Sequence, residues 1–144
     1  MKTLRLLAIL PISLVMSLVF TEANLAQTPN VQINRTFQPD PLILNGKSGG
    51  TVKSNCGNIT TEPSQVIQVT ESLPYLRLTV ESQGKPTLLI DGPGGRFCVM
   101  ADSYSGGKPE QSGYWQAGRY SVYVGELSQQ QQHNYSLSIS QHNK

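Results

Sequence analysis

The stretch 112–125 constrains the fold more than any other part of the chain. A turn that carries the one tryptophan, Trp115, leads through Gly118 into a segment in which apolar and polar residues alternate from Tyr120 to Val124. Alternation with a period of two is typical of a β-strand that buries one face. The stretch therefore predicts an antiparallel β-sheet architecture, and it indicates no activity.

Several other short segments have the same character and are separated by turn residues. Residues 75–81 and 135–140 alternate, whereas 87–90 is continuously apolar, as expected of a strand covered on both faces. No segment shows sustained helical periodicity. Strands spaced by about 8–14 residues fit a sandwich or small barrel. We predict an all-β, antiparallel, jelly-roll-like β-sandwich of about seven or eight short strands at 41–141, preceded by a polar leader or linker at 27–40.

The first residues have the organisation of a secretory signal peptide. Two basic residues within the first five positions precede an apolar run at 6–20, and small residues follow it. The run is shorter than the roughly 20 apolar residues that a spanning helix needs. We expect a signal peptide at 1–26, cleaved after Ala26 or Ala23, and no transmembrane segment after cleavage. An uncleaved N-terminal anchor is the alternative.

The charge composition argues against nucleic acid and anionic membranes as partners. The chain has 11 Lys and Arg against 9 Asp and Glu, for a formal net charge of +2. Both partners require a basic patch, and the basic residues are scattered along the sequence. We therefore expect no nucleic-acid partner.

Cys56 and Cys98 are the two cysteines of the chain. In an exported protein an even number of cysteines favours a disulfide, and two cysteines allow a single pairing. The bridge closes a loop of about 40 residues, for which chain-entropy reasoning gives roughly 3–4 kcal/mol of stabilisation. The alternative is a reactive thiol or a metal ligand, which neither a Cys-x-x-Cys motif nor a nearby histidine supports. We predict a structural Cys56–Cys98 disulfide.

Residues 46–50 match the Gly-x-Ser-x-Gly pattern of a nucleophile elbow, with Ser48 at its centre. That motif requires a strand, a sharp turn and a helix, and no helical pattern follows here. A triad also needs a base held next to the serine, and the two histidines lie near the C-terminus, His133 in a glutamine-rich loop and His142 in the tail. We predict that the protein is not an enzyme. The alternative is a small secreted hydrolase centred on Ser48, which requires His133 and an acid within hydrogen-bond reach of Ser48.

Three carboxylates form a candidate calcium site. Asp91 ends a strand before a glycine-rich turn, Asp102 begins the following long loop, and Glu110 lies in that loop. Because strand ends on opposite sides of a hairpin lie close together, we expect these side chains to converge on one edge of the sandwich. Calcium takes six to eight oxygen ligands, which glycine-rich loops help to supply. The alternative is that both aspartates bond backbone amides of their own turns.

Tyr104, Tyr114 and Trp115 are candidate ligand-binding residues. Aromatic side chains with one polar edge suit an exposed platform on which a sugar stacks. The alternative, which we favour, is that Trp115 covers one end of a small core while the tyrosines bridge core and solvent.

The C-terminal half resembles the bacterial pre-peptidase C-terminal domain, a β-sandwich appended to secreted proteases and other exported proteins. The resemblance rests on 86–91, a strand ending in Asp, on 117–124, a Gly-x-Tyr-x-Val-x-Val strand, and on 135–139, a Tyr-x-Leu-x-Ile strand. It covers roughly residues 64–140. The chain is more closely similar to small exported cyanobacterial proteins of unknown role that carry such a module alone. In protease-attached relatives the module is an accessory for folding, secretion or substrate binding, and some members bind calcium.

We therefore expect a secreted or periplasmic, non-catalytic binding or accessory module. Its binding surface is predicted at the loops 91–95 and 102–116, with calcium as the candidate cofactor and a glycan or cell-envelope component as the candidate partner. A purely structural cell-envelope protein is the further alternative.

Overall fold

A computed structural model describes residues 28–128 and 131–143, and the predicted signal peptide at 1–26 lies outside these ranges. The described elements are all β-strands: β1 Asn30–Ile33, β2 Leu42–Lys47, β3 Val52–Ser54, β4 Gly57–Ile59, β5 Gln65–Val69, β6 Leu73–Ser82, β7 Pro86–Gly92, β8 Gly95–Val99, β9 Glu110–Trp115, β10 Gly118–Glu126 and β11 Asn134–Ser140. Within this part of the chain, no helix has the length and apolar character needed to cross a membrane.

The strands form two sheets, as predicted for a β-sandwich. The larger sheet has the order β1-β5-β10-β4-β3, with β7 paired to β10 and β8 paired to β7. The smaller sheet has the order β2-β11-β6-β9. All pairs are antiparallel except β1 with β5. The fold class is confirmed, although the described residues form eleven strands instead of about seven or eight. Strands of three or four residues are too short to show alternation. The predicted loop at 102–116 is wrong in its second half, because strand β9 begins at Glu110 and ends at Trp115; this edge strand is largely polar, so its sequence lacks an alternating apolar pattern.

Strand β10, which contains the alternating residues of the opening stretch, lies at the centre of the larger sheet. Its first half pairs with β5 and its second half with β7. Tyr120, Val122 and Val124 face the core, and Val122 is fully buried. The alternation therefore predicted both the strand and its buried face.

Part of the predicted leader at 27–40 belongs to the larger sheet. Strand β1 runs parallel to β5 with Asn30 opposite Val66, and Ile33 is fully buried in the core. Because this segment is mostly polar and its strand fully buries a single large side chain, the sequence showed no clear strand pattern here.

The core lies between the two sheets. The alternating positions of facing strands fill it, including Leu76, Leu78, Val80, Leu88, Ile90, Leu137 and Ile139. Strand β7 is buried on both faces, as its continuous apolar run predicted, because Leu89 faces away from this core and packs with Ile59 and the Cys56–Cys98 disulfide. The predicted disulfide is thus present, with the two Cα atoms 5.5 Å apart, and it covers the outer face of the larger sheet.

Candidate functional site

Ser48 is a buried side chain at the end of β2, not an exposed nucleophile. It is fully buried, and its Oγ lies 3.3 Å from Glu126 Oε2 and 3.2 Å from the backbone oxygen of His133. The same Oγ accepts a hydrogen bond of 3.2 Å from the backbone N–H of His133. Ser48 therefore ties the end of β2 to the chain entering β11.

The order of these groups differs from that of a catalytic triad. A triad places the imidazole between the serine and the carboxylate, so that the imidazole takes the proton of the serine. Here the carboxylate occupies the middle position, with Glu126 Oε2 3.4 Å from His133 Nδ1. The hydroxyl of Ser48 bonds this acid and the main chain of His133 instead of its imidazole. Ser48, His133 and an acid therefore do lie together, as the hydrolase alternative requires, but the imidazole is not the group that contacts the serine. The order of the three groups does not support the hydrolase alternative.

Glu126 is a fully buried carboxylate at the end of β10, which sequence reasoning missed. Its Oε1 accepts the backbone N–H groups of Lys85 at 2.7 Å and Ser128 at 3.2 Å. Burial raises the pKa of Glu126, but these hydrogen bonds, with those of the Ser128 and Ser48 hydroxyls, outweigh burial and leave the pKa below its ordinary value. Glu126 therefore acts as a charged anchor for three separate chain segments. We call Ser48, Glu126 and His133 the Glu126 cluster.

A signal for Glu126 was present in the sequence. The period-two pattern that faces Tyr120, Val122 and Val124 inward continues to position 126, where an apolar residue is expected. An acid at an inward-facing position of a strand predicts a specific set of donors around it.

The three predicted calcium ligands each have their own protein partners. Asp91 lies 3.6 Å from the Nε of Arg96 across the β7–β8 hairpin. Asp102 accepts the backbone N–H of Ser105 at 2.8 Å, as in the alternative interpretation, and Glu110 accepts the Thr79 hydroxyl at 3.2 Å. Among residues 28–128 and 131–143, no three His, Cys, Asp or Glu side chains are grouped to hold a metal ion. Calcium binding at these residues stays a prediction that no contact supports.

Trp115 and Tyr120 form the aromatic end of the core. Trp115 is 5% exposed, its Nε1–H donates to the Leu76 carbonyl at 3.2 Å, and its ring centroid lies 4.7 Å from that of Tyr120. Tyr114 and Tyr104, in contrast, are 66% and 98% exposed. The three predicted ligand-binding aromatics therefore do not form one exposed platform.

An aromatic cleft of about 120 Å³ opens beside this buried pair. It lies between the β7–β8 hairpin and β9, which are at the edges of the two sheets. Among the residues that the structure describes, none with a charged side chain lines the aromatic cleft, and the lining residues are Gly94, Phe97, Gln111, Tyr114, Trp115, Gln116 and Tyr120. The structure thus brings the hairpin that contains the predicted turn at 91–95 next to the end of the predicted loop at 102–116, while Tyr104 is not among the lining residues.

A second concavity, of about 750 Å³, lies across the smaller sheet. Its wall includes residues of β2, β11 and β6 and the chain at 107–108. Asn45, Ser136 and Glu81 are register partners on three adjacent strands, and their neighbours Leu44, Leu137 and Val80 face the core. We call this outer-face concavity the polar groove, and its polar lining residues include Asn45, Lys47, Glu81, Lys108, Asn134 and Ser136, together with Ser82, Gln83, Gln132, His133 and Tyr135.

The fold of the protein is similar to that of a solved pre-peptidase C-terminal domain. The pre-peptidase C-terminal domain of collagenase from Bacillus anthracis matches with a TM-score of 0.51 and 13% identity over 79% of this chain and 97% of that domain. The similarity at this identity concerns the fold alone. A periplasmic inhibitor of g-type lysozyme from Escherichia coli matches with a TM-score of 0.43 and 14% identity, over 79% of this chain and 98% of the inhibitor.

The particular family is shown by sequence. The chain is 38% identical over 141 residues to an uncharacterised protein of Synechococcus elongatus, covering 95% of this chain and 92% of the relative. The chain belongs to the family of that protein. No protein-family model matches it.

Proposed function

We propose that the protein is an exported, non-catalytic binding module. The signal-like N-terminus supports export, and the Cys56–Cys98 disulfide supports an oxidising compartment, since such bonds are rare in a reducing cytosol. The burial of Ser48 and the order of its contacts support a non-catalytic role.

The aromatic cleft is the proposed recognition site, and a neutral sugar is the proposed ligand. The observation that carries this assignment is the meeting of Phe97 and Tyr114, both exposed, from edge strands of different sheets. Two amide side chains, Gln111 and Gln116, lie in the same wall. Aromatic faces with a few polar groups are typical of small-ligand sites, and the uncharged wall favours an uncharged ligand.

The single tryptophan provides a direct test. Trp115 lines the aromatic cleft, so a ligand that enters it is expected to change the protein's tryptophan fluorescence. The mature protein is titrated with neutral cello-, xylo- and chito-oligosaccharides. We expect a saturable change with at least one series, and about tenfold weaker binding by Tyr114→Ala or Phe97→Ala, as for an anchoring aromatic side chain.

Tyr104→Ala is the matched control, because Tyr104 is almost fully exposed and is not among the lining residues of the cleft. Its affinity is expected to equal that of wild type. If none of the sugars binds, or if all three variants bind alike, the aromatic cleft is not a sugar site, and a structural envelope role becomes the simpler account.

A further inference from the structure

We infer that the polar groove binds an acidic oligosaccharide, at a second site separate from the aromatic cleft. The inference rests on the side chains that the smaller sheet brings together from distant parts of the sequence. It does not depend on the proposed sugar site.

Two lysines provide the positive charge of the groove. Lys108 forms an ion pair with Glu81, the one acidic side chain in the groove wall among the described residues. The Nζ of Lys47 contacts an amide oxygen, that of Asn134, at 3.2 Å. The charge of Glu81 is therefore offset within the groove, and Lys47 leaves the groove wall with an excess positive charge. An ammonium group in this position suits a carboxylate or sulfate of a ligand.

Neutral hydrogen-bonding groups lie between these charges. Asn45 and Ser136 are register partners on β2 and β11, and Ser136 is in turn the partner of Glu81 on β6. Adjacent strands lie about 4.8 Å apart, so these side chains form a row across the sheet. Hydroxyl and amide groups both donate and accept hydrogen bonds, which fits the many hydroxyl groups of a sugar chain.

An acidic peptide fits the groove less well than an acidic sugar. Strands β11 and β6 pair with neighbours on both sides, and β2 is an edge strand paired with β11. Backbone hydrogen bonds of a strand lie in the plane of its sheet, so the outer face that forms the groove offers a peptide no strand to extend. The large apolar side chains exposed elsewhere, such as Phe97 and Tyr114, are not among those lining the groove. The apolar and aromatic residues that do line it, Val80, Pro86 and Tyr135, are buried. Among the described residues the groove therefore offers little apolar surface to a peptide's side chains, and little aromatic surface on which the bases of a nucleic acid could stack.

The negative charge of the buried Glu126 does not remove the preference of the polar groove for an acidic ligand. It lies behind the groove wall at Gly84 and His133, and its carboxylate is fully buried. The N–H groups of Lys85 and Ser128 point at its Oε1 and compensate its charge locally. The lysine side chains, in contrast, are at the solvent side of the groove.

Calorimetric titration of the mature protein with trigalacturonate tests the inference, with the fully methyl-esterified trimer as the matched neutral ligand. We expect the acidic trimer to bind at least tenfold more tightly than its ester, and its affinity to fall as salt rises from about 20 to about 300 mM. Lys47→Gln and Lys108→Gln are each expected to weaken binding about three- to tenfold. Lys53→Gln removes an exposed lysine from β3 of the larger sheet and is expected to change nothing.

Four outcomes overturn the inference. They are no binding of the acid at about 5 mM, equal affinity for acid and ester, equal effects of Lys47→Gln and Lys53→Gln, and equal or tighter binding of a glutamate tripeptide. The last outcome assigns the groove to acidic peptides. Tyr114→Ala is expected to leave trigalacturonate binding unchanged, which separates this site from the aromatic cleft.

Discussion

The two ends of β10 close the core in different ways, by aromatic packing at one end and by hydrogen bonds to a carboxylate at the other. The same alternation of inward and outward side chains runs through both ends. At the first end Tyr120 packs against Trp115, with 4.7 Å between the ring centroids. At the other end Glu126 occupies an equivalent inward position and is held by backbone N–H groups. The comparison shows that the backbone period decides which side chains face inward, while side-chain chemistry decides whether packing or hydrogen bonding closes the core.

The two ends are expected to respond differently to mutation. Dispersion attraction is the sum of many small atom-pair energies, so a smaller side chain at the aromatic end weakens the packing only in part. The aromatic end therefore tolerates changes in side-chain size and leaves room for a cleft. The Glu126 end joins two backbone N–H groups and the Ser48 hydroxyl to a single carboxylate, and loss of that carboxylate leaves the two N–H groups without an acceptor. The tolerance of the aromatic end suits the ligand site that we propose beside it, whereas the Glu126 end fixes the chain.

The largest expected effect is that of Glu126→Ala. The substitution leaves the N–H groups of Lys85 and Ser128 without their acceptor and removes one of the two acceptors of the Ser48 hydroxyl. Each unsatisfied buried group costs about 1–3 kcal/mol, partly relieved by entering water, so we expect a loss of roughly 3–5 kcal/mol in the free energy of unfolding. Urea denaturation followed by circular dichroism measures it.

Glu62→Ala is the control for this change, because Glu62 is an exposed glutamate. It is expected to alter the free energy of unfolding by less than about 0.5 kcal/mol. A loss below about 1 kcal/mol for Glu126→Ala would mean that the donors find other acceptors, and the contrast between the two ends of β10 would disappear.

The sequence predicted the aromatic end of β10 far better than the polar end. Alternation from Tyr120 to Val124 indicated the strand, its buried face and its place beside the turn with Trp115. It did not identify the donors of Glu126, because Ser48 and Lys85 come from separate segments that only the folded sheet order brings to Glu126, whereas Ser128 follows it closely in the sequence. The polar groove was missed for the same reason.

Trp115→Phe is expected to have an intermediate effect at the aromatic end. The phenyl ring retains most of the packing against Tyr120, but the hydrogen bond to the Leu76 carbonyl is lost and a small cavity remains. We expect a loss of about 1–3 kcal/mol in the free energy of unfolding, measured by the same denaturation. Tyr114→Phe, which keeps an exposed ring beside it, is expected to cost less than about 0.5 kcal/mol. Equal effects of the two substitutions would show that Trp115 does not close the core.

The smallest expected effect is the acid dependence of the Glu126 end. Because hydrogen bonding lowers the pKa of Glu126 in the folded protein, ionisation stabilises the fold above the unfolded-state pKa of about 4.3. That contribution is lost as the pH falls through the lower folded-state pKa. The stability difference between wild type and Glu126→Gln is therefore expected to narrow from about pH 6 to about pH 3.

The exposed carboxylates titrate in both proteins, so their contribution cancels in this difference. His133 faces Glu126 at 3.4 Å, and repeating the pair of measurements in a His133→Gln background removes the imidazole. If the stability difference between the proteins with and without Glu126 still narrows in acid in this background, the pH dependence is assigned to Glu126. A constant difference would mean that burial, which raises the pKa of Glu126, and its hydrogen bonds, which lower that pKa, cancel. A difference that widens in acid would mean that burial outweighs the hydrogen bonds. In that case, the polar end of β10 is held by a neutral acid.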